Sequence, residues 1–167
     1  DVSVENLGKA KYAIAQFTKK RIVDGKGTTK IEPNAVFKVR KNDDTYLKDL
    51  DGNDVVCKAD KDGVVTVPWL LKGIYSLEQT DGSELHEKLN DEKNTDSVFV
   101  VETKDIVVES DDMYTFLNKG TLPDEDKDHI IKLGDEGSCT DNALPVKLTL
   151  KKTSTYSGIS LAKAEFT

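Results

Sequence analysis

Residues 64–80 read VVTVPWLLKGIYSLEQT, and the rest of the chain is organised around this stretch. Val65, Val67, Tyr75 and Leu77 alternate with smaller or polar residues. Alternation of period two is the mark of a half-buried strand, so two strands are predicted here. Pro68-Trp69-Leu70 interrupts the first ladder, and Lys72-Gly73 turns the chain back, which predicts a hairpin. Asp60-Lys61-Asp62-Gly63 supplies the turn that opens it.

Working outward, further strands are predicted on both sides. Residues 12–21, YAIAQFTKKR, place Ala13, Ala15, Phe17 and Lys19 on one face. Residues 34–40, NAVFKVR, place Ala35, Phe37 and Val39 inward. After the hairpin, the polar residues 81–97 form the longest loop, with one short helical turn over 83–89. Residues 97–103 and 105–110 are predicted to pair as a second hairpin, with Val98, Val100, Ile106 and Val108 in the core. Residues 113–118, MYTFLN, read as one more strand with Tyr114, Phe116 and Asn118 inward. Turn signals recur at intervals of about 8–12 residues, the spacing of an all-β sandwich or barrel.

Residues 119–145 change character: they are acidic, punctuated by Pro123, Gly134, Gly137 and Pro145, and read as a linker. Residues 146–167 then open a new strand pair. LTLKKT matches AQFTKK and AKAEF matches NAVFKV, an internal repeat by order and pattern. The expected organisation is a β-sandwich over 1–119, an acidic linker over 120–145, and the first strands of a second unit over 146–167.

Composition narrows the function classes. The net charge is −7 with acids scattered along the chain, so the basic stripe that phosphate binding needs is missing and a nucleic-acid partner is excluded. No run approaches the roughly 18 apolar residues of a membrane-spanning helix, so no membrane insertion is expected of this stretch. The chain opens on DVSVENLGK with no signal peptide, and reads as a mature fragment. Cys57 and Cys139 fit no zinc spacing; they read as two unrelated thiols or, in an oxidising compartment, as a disulfide. His86 and His129 are isolated, and no catalytic triad order, phosphate loop or metal ligand set is visible, so no enzyme, cofactor or metal is expected. The acidic stretches at 49–54 and 60–63 lack the spacing of a calcium loop and read as turns. Trp69 with Tyr75 reads as a core or turn-covering pair, with a carbohydrate platform as the alternative.

The series FTKKR, NAVFKV, DKDGVVTVPWLLKGIYSLEQT and YTFLN resembles the Cna B-type (SpaA-like) repeat domain of Gram-positive collagen-binding adhesins and sortase-assembled pilins. The likeness covers residues 13–119, and the 60–80 segment is its most specific part. It implies a transthyretin-like (prealbumin-like), Ig-like β-sandwich. It also implies a structural or adhesive module of a cell-wall-anchored surface protein or pilus, outside the cell. The implied partners are neighbouring domains or subunits of the same polymer. A rival reading in another class is a module that binds host matrix protein or glycan through its loops, with 81–97 the best candidate.

The resemblance also implies an internal amide between a first-strand lysine and a last-strand asparagine, assisted by a buried acid. A lysine buried among apolar side chains is driven toward its neutral, nucleophilic form. A carboxyl beside it can carry the protons. Strand parity places Lys19 and Asn118 at the two reacting positions. At the acid position this sequence has Gln79, while Glu78 faces the other way; glutamine can orient a partner but cannot exchange a proton. Lys152 matches the lysine position in the second unit.

Overall fold

The structure is a computed structural model that describes residues 9–22, 27–81 and 98–141. Its first sheet is built on β1 (Lys11–Ile22), a strand of 12 residues. β1 pairs antiparallel with β2 (Thr29–Ile31), β5 (Val64–Leu70) and β8 (Val108–Glu109). It pairs parallel with β9 (Ile131–Lys132) and β10 (Ser138–Asp141). The second sheet is antiparallel, in the order β4-β3-β6-β7, from β3 (Val36–Lys41), β4 (Val56–Lys58), β6 (Gly73–Asp81) and β7 (Val98–Val101). The chain is therefore an all-β sandwich with a short helical insertion, as the sequence predicts. No helix among the described residues is long and apolar enough to cross a membrane.

The core lies between the sheets where the alternation predicts it. Ala13, Ala15, Phe17, Ala35, Phe37, Val39, Val65, Val67, Tyr75 and Leu77 are all buried. Phe17 of the first sheet meets Phe37 of the second edge-to-face, with ring centroids 5.2 Å apart. Such a pair adds roughly 0.5–1.5 kcal/mol to the area it buries.

The organising stretch does not form a hydrogen-bonded hairpin. β5 pairs with β1 while β6 pairs with β3 and β7, so residues 64–81 cross from one sheet to the other. The sequence shows the cause. Pro68 has no N–H to give to a ladder. Trp69 takes a positive φ of 63°, and the β1–β5 register slips by one residue between Ala13/Leu70 and Ala15/Val67. That is a bulge, which bends and twists the strand. Tyr75 then ties the corner, its hydroxyl accepting the Leu71 N–H at 3.1 Å and donating to the Leu71 carbonyl at 2.8 Å. Trp69 is buried edge-to-face on Tyr12 and Tyr114, at 5.1 and 5.0 Å, and so belongs to the core.

Three further expectations change. Residues 113–118 are not a strand but part of helix α1 (Ser110–Lys119). Asp111 and Asp112 in the first turn and Lys119 in the last complement the helix dipole, and Gly120 closes it at φ 69°. Met113 is buried and Phe116 packs on the core one turn later, while Tyr114 and Asn118 face outward. The predicted 97–110 hairpin is also absent: β7 joins β6, and β8 joins β1. In VFVV every residue is apolar, so parity carries no signal, and pairing decides it. Tyr75 stacks on Phe99 at 5.6 Å, which turns Phe99 and Val101 inward and leaves Val98 and Val100 exposed; Ile106 is half-buried and Val108 is buried.

The third change is the boundary at Lys119. Within the expected linker, after a short α2 (Asp124–Lys127), β9 and β10 complete the sheet on β1, and Leu122, Leu133 and Cys139 enter its core. The sandwich therefore runs on to Asp141. Gly134 makes this possible. Its φ is 77°, and a Cβ there would stand 2.1 Å from the Ser138 carbonyl oxygen and 2.8 Å from the Cys139 sulfur. Gly134→Ala is expected to cost roughly 1–3 kcal/mol or more, read as a lower midpoint in chemical denaturation. The 83–89 turn, the 81–97 loop beyond Asp81, and residues 146–167 with Lys152 lie outside the described residues.

Candidate functional site

Lys19 is the one lysine among the described residues that is fully buried, at 0% exposure. β1 delivers it to the core because it continues the face of Ala13, Ala15 and Phe17. Its backbone is pinned on two sides. The Lys19 N–H donates to the Gly63 carbonyl at 2.8 Å, and its own carbonyl accepts the Glu32 N–H at 2.9 Å. The second bond brings Glu32, just past β2, alongside Lys19.

Their side chains close on each other. The Lys19 ammonium nitrogen Nζ lies 2.8 Å from Glu32 Oε2 and also donates to the Lys20 carbonyl at 2.8 Å. Glu32 is only 2% exposed. Two charged groups taken out of water cost several kcal/mol each unless they face each other at this range. Proton transfer across the 2.8 Å contact would give the neutral amine and carboxylic acid, the pair that amide chemistry requires.

The parity reading of β6 holds: Gln79 is buried, and its Nε2 donates to the Asp81 carbonyl at 3.1 Å. Glu78 faces out and accepts from Arg40 Nε at 2.6 Å and from the Tyr46 hydroxyl at 3.0 Å. Asn118 does not come to Lys19, because it sits exposed on α1. The strand beside Lys19 is instead β10, in which Cys139 is its register partner and Thr140 and Asp141 follow. Sequence reasoning missed Glu32. Its one signal was an acid just before Pro33, at the start of a buried strand face, where a turn acid is the commoner reading.

The remaining candidates have structural roles. Cys57 and Cys139 are buried, on β4 and β10 of different sheets. Burial pushes the Cys57 thiol up to about 12. Cys57 is accordingly expected to resist alkylation at neutral pH in the folded protein and to react at once after unfolding. Asp49 and Asp60 serve as turn acceptors, for the N–H groups of Asp51 and Asn53 and of Asp62 and Val64 respectively. Among the described residues no group of three His, Cys, Asp or Glu side chains is placed to hold a metal.

Several carboxyls carry a pH dependence, Asp49 and Asp54 among them. The Asn53 N–H holds Asp49, and the Lys48 ammonium holds Asp54, below the ordinary aspartate value of 3.8. A carboxyl depressed in the folded state stabilises it fully above the unfolded value, and that contribution is lost as pH falls through the folded one. Melting temperature is thus expected to fall as pH drops below about 4, through the depressed folded-state values of these half-buried carboxyls.

No family model matches this chain, and no curated protein matches it. Solved structures do. A minor pilin of the Gram-positive pathogen Streptococcus agalactiae matches with 10% identity and a TM-score of 0.48, over 86% of this chain and 50% of that one. The backbone protein of the group B streptococcus pilus 2b matches with 13% identity and a TM-score of 0.48, over 80% of this chain and 42% of that one. The chain thus spans half or less of the length of these structures.

Proposed function

We propose that this chain is a non-catalytic structural module of a bacterial surface polymer, of the pilus or adhesin-stalk kind. The observation that carries the reading is the buried Lys19–Glu32 pair in a β-sandwich whose final described strand runs parallel beside the lysine. The motif resemblance over 13–119 supports it, and the solved structures that match are a minor pilin and a pilus backbone protein. A stalk transmits force along its strands, and a covalent tie between first and last strands keeps the sandwich from unravelling.

In this reading Lys19 is the nucleophile and Glu32, rather than Gln79, is the acid. The acceptor is Asp141, where β10 ends, or Asn142, the next residue in the sequence, two or three residues past the register partner Cys139. Glu32 takes a proton from the ammonium, and the amine nitrogen attacks the carbonyl carbon. A C–N amide bond forms, and ammonia leaves from Asn142 or water from Asp141. Proximity in the packed core supplies much of the rate.

Antibodies against this chain are expected to label intact cells of the source bacterium. They should also detect covalent multimers, released by wall digestion, that survive boiling in detergent. Label confined to broken cells, with a single monomer band, would overturn the reading.

A further inference from the structure

Among the described residues, one buried side-chain polar atom has no hydrogen-bond partner: Nε of Arg21. A buried donor without an acceptor costs its full desolvation, so native folds keep few of them. An orphan donor is informative when it stands beside reacting groups.

Arg21 stands there because of β1. The ladders on both sides are unbroken at this point, Thr18–Arg21 on β10 and Lys20–Ile22 on β2. Residues two apart in a regular strand share a face, so half-buried Arg21 continues the face of Phe17 and Lys19. The Lys19 side chain leans the same way. Its Nζ donates at 2.8 Å to the Lys20 carbonyl, which belongs to the peptide group joining Lys20 to Arg21. In register, Arg21 lies opposite Asp141 of β10. Neighbouring strands are about 4.8 Å apart. The guanidinium is therefore rooted next to both the Lys19 nitrogen and the backbone at position 141.

We propose that Arg21 is a catalytic residue of the amide closure, its Nε–H donating to the acceptor's carbonyl oxygen while Lys19 attacks. The inference rests on the proposed Lys19–Glu32 site and adds the group that takes up the charge on oxygen. As the Lys19 nitrogen bonds to the carbonyl carbon, an electron pair of the C=O bond moves onto oxygen, where the Nε–H stabilises it. The pair then returns and the leaving group is expelled. Two protons leave the lysine nitrogen. One rests on Glu32; the other departs with the carboxamide nitrogen as ammonia, or with the hydroxyl of a protonated Asp141 as water. A donor placed in advance, away from water, needs no reorganisation at the moment of reaction.

Time courses of closure test this. The full chain is made by cell-free synthesis and followed by intact mass under denaturing conditions from the end of synthesis. Arg21→Met keeps an apolar stem but has no donor, and should lose ammonia or water about a hundredfold more slowly than wild type. A structural ion pair between Arg21 and Asp141 would also slow closure, by loosening the fold, so stability is read separately. In a Lys19→Met/Glu32→Leu background, which cannot close, Arg21→Met should denature at an equal or higher midpoint, because it removes the unpartnered donor. A lower midpoint in that background would overturn the proposal in favour of the ion pair. Closure of Arg21→Met at the wild-type rate would overturn it too, and would leave the Lys19–Glu32 site standing. Wild type that never loses mass would overturn that site and the role of Arg21 with it.

Discussion

Replacing Glu32 with alanine should produce the largest single loss in this protein. The carboxylate lies 2.8 Å from a fully buried ammonium, and its removal leaves that charge in the core without the acid that faces it. Breaking a buried pair from one side costs roughly 3–5 kcal/mol, far more than the pair contributes relative to apolar residues of the same volume. Glu32→Ala should therefore unfold at a much lower denaturant concentration, while Lys19→Met/Glu32→Leu recovers the share of the loss due to the buried charge but not the share due to a Lys19 amide. By contrast, Arg40→Ala breaks a half-exposed pair with Glu78 and should cost no more than about 1 kcal/mol. A small effect of Glu32→Ala, equal to that of Arg40→Ala, would mean that Lys19 is not held as described.

Phe17→Ala should come close behind. The ring is 2% exposed, spans the two sheets and meets Phe37 edge-to-face. Truncating a buried phenylalanine costs roughly 3–5 kcal/mol, combining lost transfer energy with the cavity left behind. Because residues two positions apart share a face, this cavity opens next to Lys19. Phe17→Leu, which refills much of the volume, should recover at least half of the loss in equilibrium denaturation.

The parts of the fold that were legible in the sequence are those in which polar and apolar residues alternate. β1, β3, β5 and β6 declare their inward faces, and Lys19 and Gln79 were placed in the core by the same parity. What was not legible depends on pairing that alternation does not encode. VFVV has no polar residue to mark its outer face, and only its ladder with β6 sets the register. MYTFLN alternates like a strand, but Met113 and Phe116 also fit a helical turn, and the Gly120 cap decides for the helix. The 64–80 stretch showed its turn but not its crossing between sheets, because nothing local says which neighbour each arm will meet. The acidic 119–141 segment hid β9 and β10, strands of two and four residues. With these strands hidden, the last strand reads as 113–118 rather than β10, the strand that lies beside Lys19.

The central claim is that Lys19 and Glu32 form a site for amide closure with the strand that follows Cys139. Intact mass of the purified chain under denaturing conditions, followed by sequencing of its proteolytic fragments, tests it most directly. The account predicts a mass below the sequence value by one ammonia, for closure on Asn142, or one water, for closure on Asp141. It also predicts a branched fragment joining Lys19 to that residue, absent in Glu32→Ala. A mass equal to the sequence value, with Lys19 recovered in a linear fragment, would contradict it.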